Sequence, residues 1–173
     1  MKNIISINAS KYLLFLLVLV GQCSCKDKEP LKTGLEGKPM PVFSMLLADS
    51  ITYLNSATFP VNRPSLVYFF SSTCPFCRAQ MKDIAENMEA FKDSHLFLVT
   101  NSVEDIKVFE KRYGLSQHEN ITIGMDSAYV LQDYYKVRAV PYLVVFNKDK
   151  KLTRAFTGKT STHQLTSAMH IEL

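Results

Sequence analysis

Val67-Tyr-Phe-Phe-Ser-Ser-Thr-Cys74-Pro-Phe-Cys77-Arg-Ala-Gln-Met81 is the most informative stretch of this chain of 173 residues. Its apolar beginning, which extends back to Leu66, is rich in strand-forming residues and predicts a fully buried central strand. Pro75 is favoured in a first helical turn. The apolar residues that recur after it at helical spacing are Met81, Ile84, Ala85, Met88 and Phe91. Two cysteines therefore lie where a strand ends and a helix begins.

This junction predicts a redox-active cysteine pair. The amides and dipole of a helix N-terminus favour negative charge, so the thiolate of the outer residue, Cys74, should be stabilised there. Cys77, one turn further along, can reach Cys74 to form a disulfide and is shielded from substrates. We therefore expect Cys74 to attack a substrate disulfide as the nucleophile and Cys77 to resolve the mixed disulfide.

Other uses of a Cys-x-x-Cys pair fit this sequence less well, although a structural disulfide has the same spacing. A four-ligand zinc site would lack ligands, because no second Cys-x-x-Cys and no His-x-x-x-His follows. Arg78 stands where haem attachment would need a histidine. We therefore expect neither a metal site nor a cofactor, and we expect the four histidines to be surface or packing residues.

Composition indicates one globular domain of ordinary size with a short additional segment. Hydrophobic residues make up 47% of the chain and charged residues 21%, which is typical of a folded protein. The net charge is +4, but Lys2 and Lys11 fall in a leader, and without them 18 basic residues face 16 acidic ones. This near-balance predicts no nucleic-acid partner and no polybasic contact with a membrane.

Residues 1–25 have the features of an export signal. The apolar run Tyr12–Val20 is too short to span a bilayer but suits the core of a signal peptide. The following Gly21-Gln22-Cys23-Ser24-Cys25 resembles a bacterial lipoprotein signal, which implies a lipid on Cys23 or, alternatively, on Cys25. We expect residues 26–35 to be a polar tether outside the cytoplasm. A leader whose two cysteines simply pair is the alternative.

Residues 36–173 are expected to form the folded domain, in which strands alternate with helices. Such an order predicts a mixed α/β sandwich. The charged residues Asp105, Lys107, Glu110 and Lys111 are expected to form a solvated helix face. The helix Ser127–Tyr135 should turn Val130, Leu131 and Tyr134 inward. The other predicted elements are a hairpin (Val42–Leu47, Ile51–Leu54), strands at His95–Thr100, Ile121–Ile123, Tyr142–Phe146 and Leu152–Thr157, and helices at Ser102–Gly114 and from Ser161.

Val140-Pro141 opens a predicted strand, and Gly158 lies between the last strand and the last helix. Together with Cys-Pro-Phe-Cys and the order of the predicted elements, these residues make the chain resemble the thioredoxin superfamily over about residues 36–170. The opening Gly37–Phe43 is similar to its extracytoplasmic TlpA/ResA-like branch. The resemblance implies a three-layer α/β/α sandwich with a central mixed sheet and an N-terminal β-hairpin extension. It also implies a cis bond before Pro141 and strand-like pairing of a substrate with the backbone of Val140.

Three residues depart from the thioredoxin pattern. Tyr68 stands where thioredoxins keep a buried acid, and we expect it to pack in the sheet rather than act as a base, since its ordinary pKa is near 10. Thr73 replaces the usual aromatic residue before the motif, and Phe76 follows Pro75 where thioredoxins have Gly-Pro. Phe76 carries no positive charge, unlike the histidine of periplasmic oxidases, so we expect no extreme stabilisation of the thiolate. Thr73 and Phe76 are expected to contact the substrate beside Cys74.

The predicted function is that of a membrane-anchored thiol-disulfide oxidoreductase facing the periplasm or cell surface. The family resemblance implies that it reduces disulfides in protein substrates and receives electrons from a transmembrane thiol carrier. Two alternatives remain open at this point. One is a disulfide-forming oxidase or isomerase, and the other is a thioredoxin-like binding lipoprotein whose Cys74–Cys77 bond is only structural.

Overall fold

A single mixed sheet of seven strands organises the computed structural model, which describes residues 27–59 and 62–173. The leader, including Cys23 and Cys25, lies outside the described residues. The strands are β1 (Ser44–Leu46), β2 (Tyr53–Asn55), β3 (Ser65–Phe69), β4 (His95–Thr100), β5 (Ile121–Met125), β6 (Tyr142–Phe146) and β7 (Leu152–Thr157). Their order in the sheet is β2-β1-β5-β4-β3-β6-β7, with β3, β4 and β5 parallel and every other neighbouring pair antiparallel.

The described residues form four α-helices: α1 (Pro75–Glu86), α2 (Val103–Tyr113), α3 (Val130–Tyr134) and α4 (Thr162–Met169). The first four N–H groups of a helix lack partners within the helix, and the side-chain oxygens of Ser102 and Ser161 each accept one of these in α2 and α4. Gly114 is the C-cap of α2, and its φ of +60° suits a residue without a β-carbon.

The predicted three-layer sandwich is confirmed by the two apolar clusters on either side of the sheet. Residues of α1, α2 and α4 pack with Leu66, Tyr68 and Leu98 on one face. Helix α3 packs with Val67 and Phe97 on the other face. The N-terminal hairpin is also confirmed, because β1 and β2 pair in antiparallel register and β1 joins the sheet beside β5.

Two helices differ from their sequence predictions. Helix α1 stops at Glu86, and a 3-10 turn at Met88–Phe91 carries the remaining apolar residues. Helix α3 begins at Val130 because the buried carboxylate of Asp126 accepts the N–H groups of Val130, Leu131 and Gln132 at 2.8–3.1 Å. A helix of five residues has little surface to bury, so Leu131 is buried while Val130 and Tyr134 stay 41% and 38% exposed.

The segment predicted as a tether lies against the folded domain where the structure describes it. Leu31 N–H donates to the carbonyl oxygen of Ala155 at 2.7 Å, and just after the predicted tether Gly37 N–H donates to that of Leu152 at 2.8 Å. Leu31 and Leu35 pack onto the apolar cluster that faces α3. Apolar side chains in an otherwise polar segment explain this docking, which covers the outer edge of β7. No described helix is long and apolar enough to cross a bilayer.

Candidate active site

The topology of the sheet brings the two sequence motifs together. Strands β3, β4 and β5 are parallel, so their C-terminal ends meet at one edge, which we call the redox end of the sheet. Cys74 follows β3 at this end. Antiparallel strand β6 begins there, since Tyr142 pairs with Phe69, and this register places Val140 and Pro141 beside the cysteines.

Cys74 is half-buried and is the N-cap of α1. Its Sγ accepts the backbone N–H of Cys77 at 3.3 Å, so the sulfur has taken the position of a capping oxygen. The backbone N–H of Cys74 donates to Ser71 O at 3.2 Å, which fixes the turn before the helix. In this geometry the N-terminus of the helix points at the sulfur, and the sulfur stays accessible to a substrate.

Cys77 is fully buried, in contrast to Cys74. Burial, together with a hydrogen bond to Cys74, raises the pKa of the Cys77 thiol to about 12. The two thiols are thus differentiated, with one at the surface and one protonated beneath it. That arrangement matches the roles predicted from the sequence, although the roles themselves remain predictions.

Tyr68 lies next to this buried thiol, as its position before the motif suggested. Its hydroxyl donates to the carbonyl oxygen of Cys77 at 2.8 Å, and its side chain is fully buried. Burial and the nearby Cys77 raise the pKa of Tyr68 well above its ordinary value. Tyr68 therefore stays protonated and serves as a hydrogen-bond donor rather than a base.

The Val140–Pro141 peptide bond is cis, and it faces the cysteine pair. The Cys74 thiol donates to the carbonyl oxygen of Val140 at 3.5 Å. The carbonyl of Pro141 accepts the N–H of Gly158 at 2.7 Å, so the loop after β7 supports the turn. The structure thus brings Cys74, Val140, Pro141 and Gly158 into one site.

Thr73 precedes Cys74 directly and Phe76 follows it by two residues, and both are exposed. Phe76 is 65% exposed, which is unusual for an aromatic residue in a folded domain. Thr73 shares a hydrogen bond with Ser71 through their hydroxyls at 3.0 Å. An apolar residue and a polar one therefore form the surface beside the sulfur.

Asp105 is a site residue that the sequence analysis missed. It was predicted to lie on a solvated helix face, and the structure shows this to be wrong. Its carboxylate accepts the N–H of Ser72 at 3.0 Å, the hydroxyl of Ser72, and the hydroxyl of Thr100 at 2.9 Å. Helix α2 therefore holds the loop that precedes Cys74. A carboxylate in the first turn of a helix gave no sequence signal for this, because such residues commonly serve the helix itself.

Arg78 holds the same loop from its other side. Its Nη1 donates to the carbonyl oxygens of Ser72 and Thr73 at 3.0 and 2.9 Å. The hydroxyl of Tyr113, at the end of α2, donates to the backbone oxygen of Arg78 at 3.0 Å. Together with Asp105, these bonds fix the residues before Cys74 against two helices.

Gln80 connects α1 to the loop after β7. It is fully buried, and its Oε1 accepts the N–H of Thr160 at 2.7 Å. This bond lies two residues beyond Gly158, whose own N–H supports Pro141. The helix that carries the cysteines and the loop that supports the cis-proline are thereby joined.

The described residues offer other features that do not contribute to this site. Their histidines, cysteines and carboxylates form no group of three that could hold a metal ion. Four surface clefts of about 240 to 410 Å³ are lined by residues other than the two cysteines and Pro141. The largest, lined by Arg63, Lys92 and His118 among others, lies away from the thiols, and we give it no part in the chemistry.

Solved structures of other proteins share this fold, among them the following two. A secreted disulfide oxidoreductase of Mycobacterium tuberculosis superposes with a TM-score of 0.60 at 21% identity, covering 73% of this chain and 93% of that one. The exposed lipoprotein thioredoxin of Streptococcus pneumoniae strain TIGR4 gives a TM-score of 0.58 at 18% identity, covering 76% of this chain and 100% of that one. At these identities the likeness concerns the fold.

Sequence comparison gives the family. The methylamine utilization protein MauD of Methylobacillus flagellatus is 26% identical over 117 residues, which are 65% of this chain and 53% of MauD. The chain thus spans about half the length of this curated relative. A family model described as a thioredoxin-like domain matches residues 60–170, which are more than half of the chain. The chain therefore belongs to the thioredoxin-like domain family.

Proposed function

We propose that this protein is an extracytoplasmic thiol-disulfide oxidoreductase that reduces disulfides in protein substrates. The observation that carries the proposal is the difference between its two thiols. Cys74 is accessible at a helix N-terminus, while Cys77 is buried behind it with a raised pKa. This difference in accessibility and pKa suits a pair in which one thiol attacks the substrate and the other resolves the mixed disulfide.

The first step is attack of the Cys74 thiolate on a substrate disulfide. A bond forms between Cys74 Sγ and one substrate sulfur, and the other substrate sulfur leaves as a thiolate that takes up a proton. The N–H of Cys77, which already points at Cys74 Sγ at 3.3 Å, stabilises the attacking charge. The product is a mixed disulfide between protein and substrate.

The second step frees the substrate. Cys77 loses its proton and attacks Cys74 Sγ, so that the Cys74–Cys77 disulfide forms and the second substrate sulfur leaves as a thiol. Two electrons have then passed from the protein to the substrate. Because the pKa of Cys77 is raised and Tyr68 stays protonated, the proton goes to the departing substrate thiolate or to water.

Substrates bind as extended chains across the surface beside Cys74. The backbone of Val140 pairs with the substrate, which gives recognition that tolerates many sequences. Phe76 supplies an exposed apolar contact and Thr73 a polar one. An open surface of this kind suits a protein substrate better than a small molecule, which usually binds in a concave pocket.

The protein acts outside the cytoplasm, held to the membrane by a lipid on Cys23 or, alternatively, on Cys25. Support comes from the apolar leader and from the solved relatives, one of which is named as secreted and the other as an exposed lipoprotein. Its electrons come from a transmembrane thiol carrier. It uses no cofactor, since the two cysteines themselves hold the electrons.

The reduction potential of the Cys74–Cys77 pair tests the direction of electron flow. A value between about −250 and −300 mV is expected for a reductase, as in thioredoxin. A value between about −120 and −180 mV would instead indicate an oxidase or isomerase. Resistance to reduction until below about −300 mV would indicate a structural disulfide and would contradict the proposal.

A trapping experiment tests the assigned roles of the two cysteines. The Cys77→Ser variant should accumulate mixed disulfides with a model protein that contains disulfides, because nothing resolves them. The matched Cys74→Ser variant should accumulate none. Equal trapping by both variants, or by neither, would contradict the assignment of Cys74 as nucleophile.

A further inference from the structure

The N-terminal segment joins the domain in a defined direction. Leu31 bridges to Ala155 and Pro39 bridges to Lys151, both antiparallel, so the segment runs along β7 from its end towards its beginning. Strand β7 ends at Thr157, which pairs with Tyr142 at the redox end. The described residues that precede Leu31, residues 27–30, therefore approach the redox end, where Lys28 contacts Lys159 and Gln164.

Lys28 makes the contacts that fix this point of entry. Its carbonyl oxygen accepts the side-chain N–H of Gln164 at 2.7 Å, and its Nζ donates to Lys159 O at 3.4 Å. The ammonium lies 2.6 Å from the place where a β-carbon on Gly158 would stand. The N–H of Gly158 in turn holds the carbonyl of Pro141. The incoming chain thus contacts the same loop that supports the cis-proline.

The remaining distance to the proposed lipid is short. Cys25 is three residues before Lys28, and Cys23 is five residues before it. An extended chain spans at most about 3.6 Å per residue, so these intervals reach roughly 11 and 18 Å. The far end of the domain lies at least the length of β7 away, which is about 20 Å for six residues. Since both intervals are shorter than this length, we expect an anchor on either cysteine to keep the redox end closer to the bilayer than the far end.

We propose that the docked segment Lys28–Met40 holds the redox end of the sheet towards the membrane, so that Cys74 meets a membrane-embedded dithiol protein. This inference rests on the lipid anchor of the proposed function. The exposed ring of Phe76 beside Cys74 then faces the partner. Such a partner reaches Cys74 without leaving the bilayer.

The absence of tryptophan from the chain allows a direct measurement of orientation. Single-tryptophan variants Phe76→Trp, at the redox end, and Lys148→Trp, in the turn at the opposite end, serve as donors of fluorescence energy. The full chain, exported and purified from membranes, is reconstituted in vesicles whose headgroups carry dansyl acceptors. We expect stronger energy transfer from Phe76→Trp. Equal transfer from both variants, or stronger transfer from Lys148→Trp, would overturn the orientation.

A longer linker provides the matched control. About ten Gly and Ser residues inserted between Asp27 and Lys28 leave the docking contacts in place but extend the reach by up to about 36 Å. The difference in transfer should then largely disappear. Mass spectrometry first establishes whether the purified chain carries a lipid. A chain without lipid would overturn the anchor and this inference together. In a chain that carries the lipid, energy transfer from Phe76→Trp that is no stronger than that from Lys148→Trp would overturn the inference alone.

A membrane-confined thiol tests the class of partner. Vesicles that contain a phosphothioethanol lipid reduce the Cys74–Cys77 disulfide as two lipid thiols become one lipid disulfide. The Leu31→Pro variant removes the N–H that docks the segment on Ala155 and should be reduced several-fold more slowly by the lipid thiol. Soluble glutathione should reduce both proteins equally. Equal rates with the lipid thiol would overturn the proposed partner.

Discussion

Asp105 binds Ser72 through two hydrogen bonds that connect residues 33 positions apart in the chain. The contact joins the first turn of α2 to the loop that delivers Cys74 to the start of α1. Since the same carboxylate also accepts the hydroxyl of Thr100, the loop is tied to the end of β4 as well. The position of the nucleophile thus depends on a charged residue outside the Cys-Pro-Phe-Cys motif.

Replacement of this carboxylate should loosen the loop. We expect Asp105→Asn to lower the free energy of unfolding by about 1–2 kcal/mol, because hydrogen bonds to a charged group are replaced by weaker ones. Reaction of Cys74 with a model disulfide should also slow several-fold. Urea unfolding and stopped-flow kinetics measure the two effects. Glu104→Gln is the matched control, since it removes an exposed charge from the same helical turn. Equal losses in both variants would show that only the helix dipole is involved.

The buried thiol should require a high pH to react. In the Cys74→Ser variant, we expect alkylation of Cys77 by iodoacetamide to stay slow at pH 8 and to rise towards pH 12, because burial is the main cause of its raised pKa. In guanidinium chloride the same thiol should titrate near about 8.5. The Cys77→Ser variant, whose remaining thiol is half-exposed, provides the comparison and should react faster at neutral pH. Rapid alkylation of native Cys77 at pH 8 would contradict the burial argument.

Loss of the Tyr68 hydroxyl should affect stability more than chemistry. Tyr68→Phe removes the hydrogen bond to the carbonyl of Cys77, and we expect a cost of about 1 kcal/mol in urea unfolding. Turnover of a model disulfide should stay within about twofold, since Tyr68 is a donor and not a base. A tenfold slower resolution step would instead assign Tyr68 a role in proton transfer.

His95 should make the protein less stable in mild acid. Burial lowers the pKa of His95 to about 4, and its ring stacks on Phe97 with centroids 4.4 Å apart. The unfolded chain takes up a proton near pH 6.5 and the folded protein only near pH 4. Stability contributed by the neutral ring is therefore complete above about pH 6.5 and falls as the pH drops to about 4.

We expect this loss to be about 1–2 kcal/mol after allowance for solvent at the partly exposed ring. His95→Phe keeps an aromatic ring at this position but cannot titrate. Urea unfolding at pH 7 and pH 4.5 should therefore show a smaller difference for this variant than for the unaltered protein. His118→Gln, a change in a loop histidine, is the control. An unchanged pH difference in His95→Phe would show that other groups cause it.

Local patterns were sufficient to predict the parts of the fold that depend on neighbouring residues. The apolar run before Cys74 is β3, and Pro75 begins α1 as predicted. The cis bond implied at Pro141 by the family resemblance is present, although its role in binding substrate stays a prediction. These features are encoded in stretches of a few residues, so the sequence displays them directly.

Long-range polar contacts could not be read in the same way. Whether Asp105 faces water or Ser72 depends on how α2 packs on the sheet, and the helical period does not distinguish these for a residue at the edge of the apolar face. The prediction that Val130 and Tyr134 face inward was wrong, because the buried carboxylate of Asp126 caps a shorter α3 and both side chains stay exposed. Docking of Leu31 on Ala155 likewise has no local signal.

The docked N-terminal segment also determines which fragments of this protein will be useful. A fragment that begins at Met40 or later would expose the outer backbone groups of β7, together with the apolar surface that Leu31 and Leu35 cover. Bare strand edges pair readily with those of other chains, so such a fragment should aggregate on concentration. A soluble version for crystallisation should therefore retain every residue from Asp27 onward.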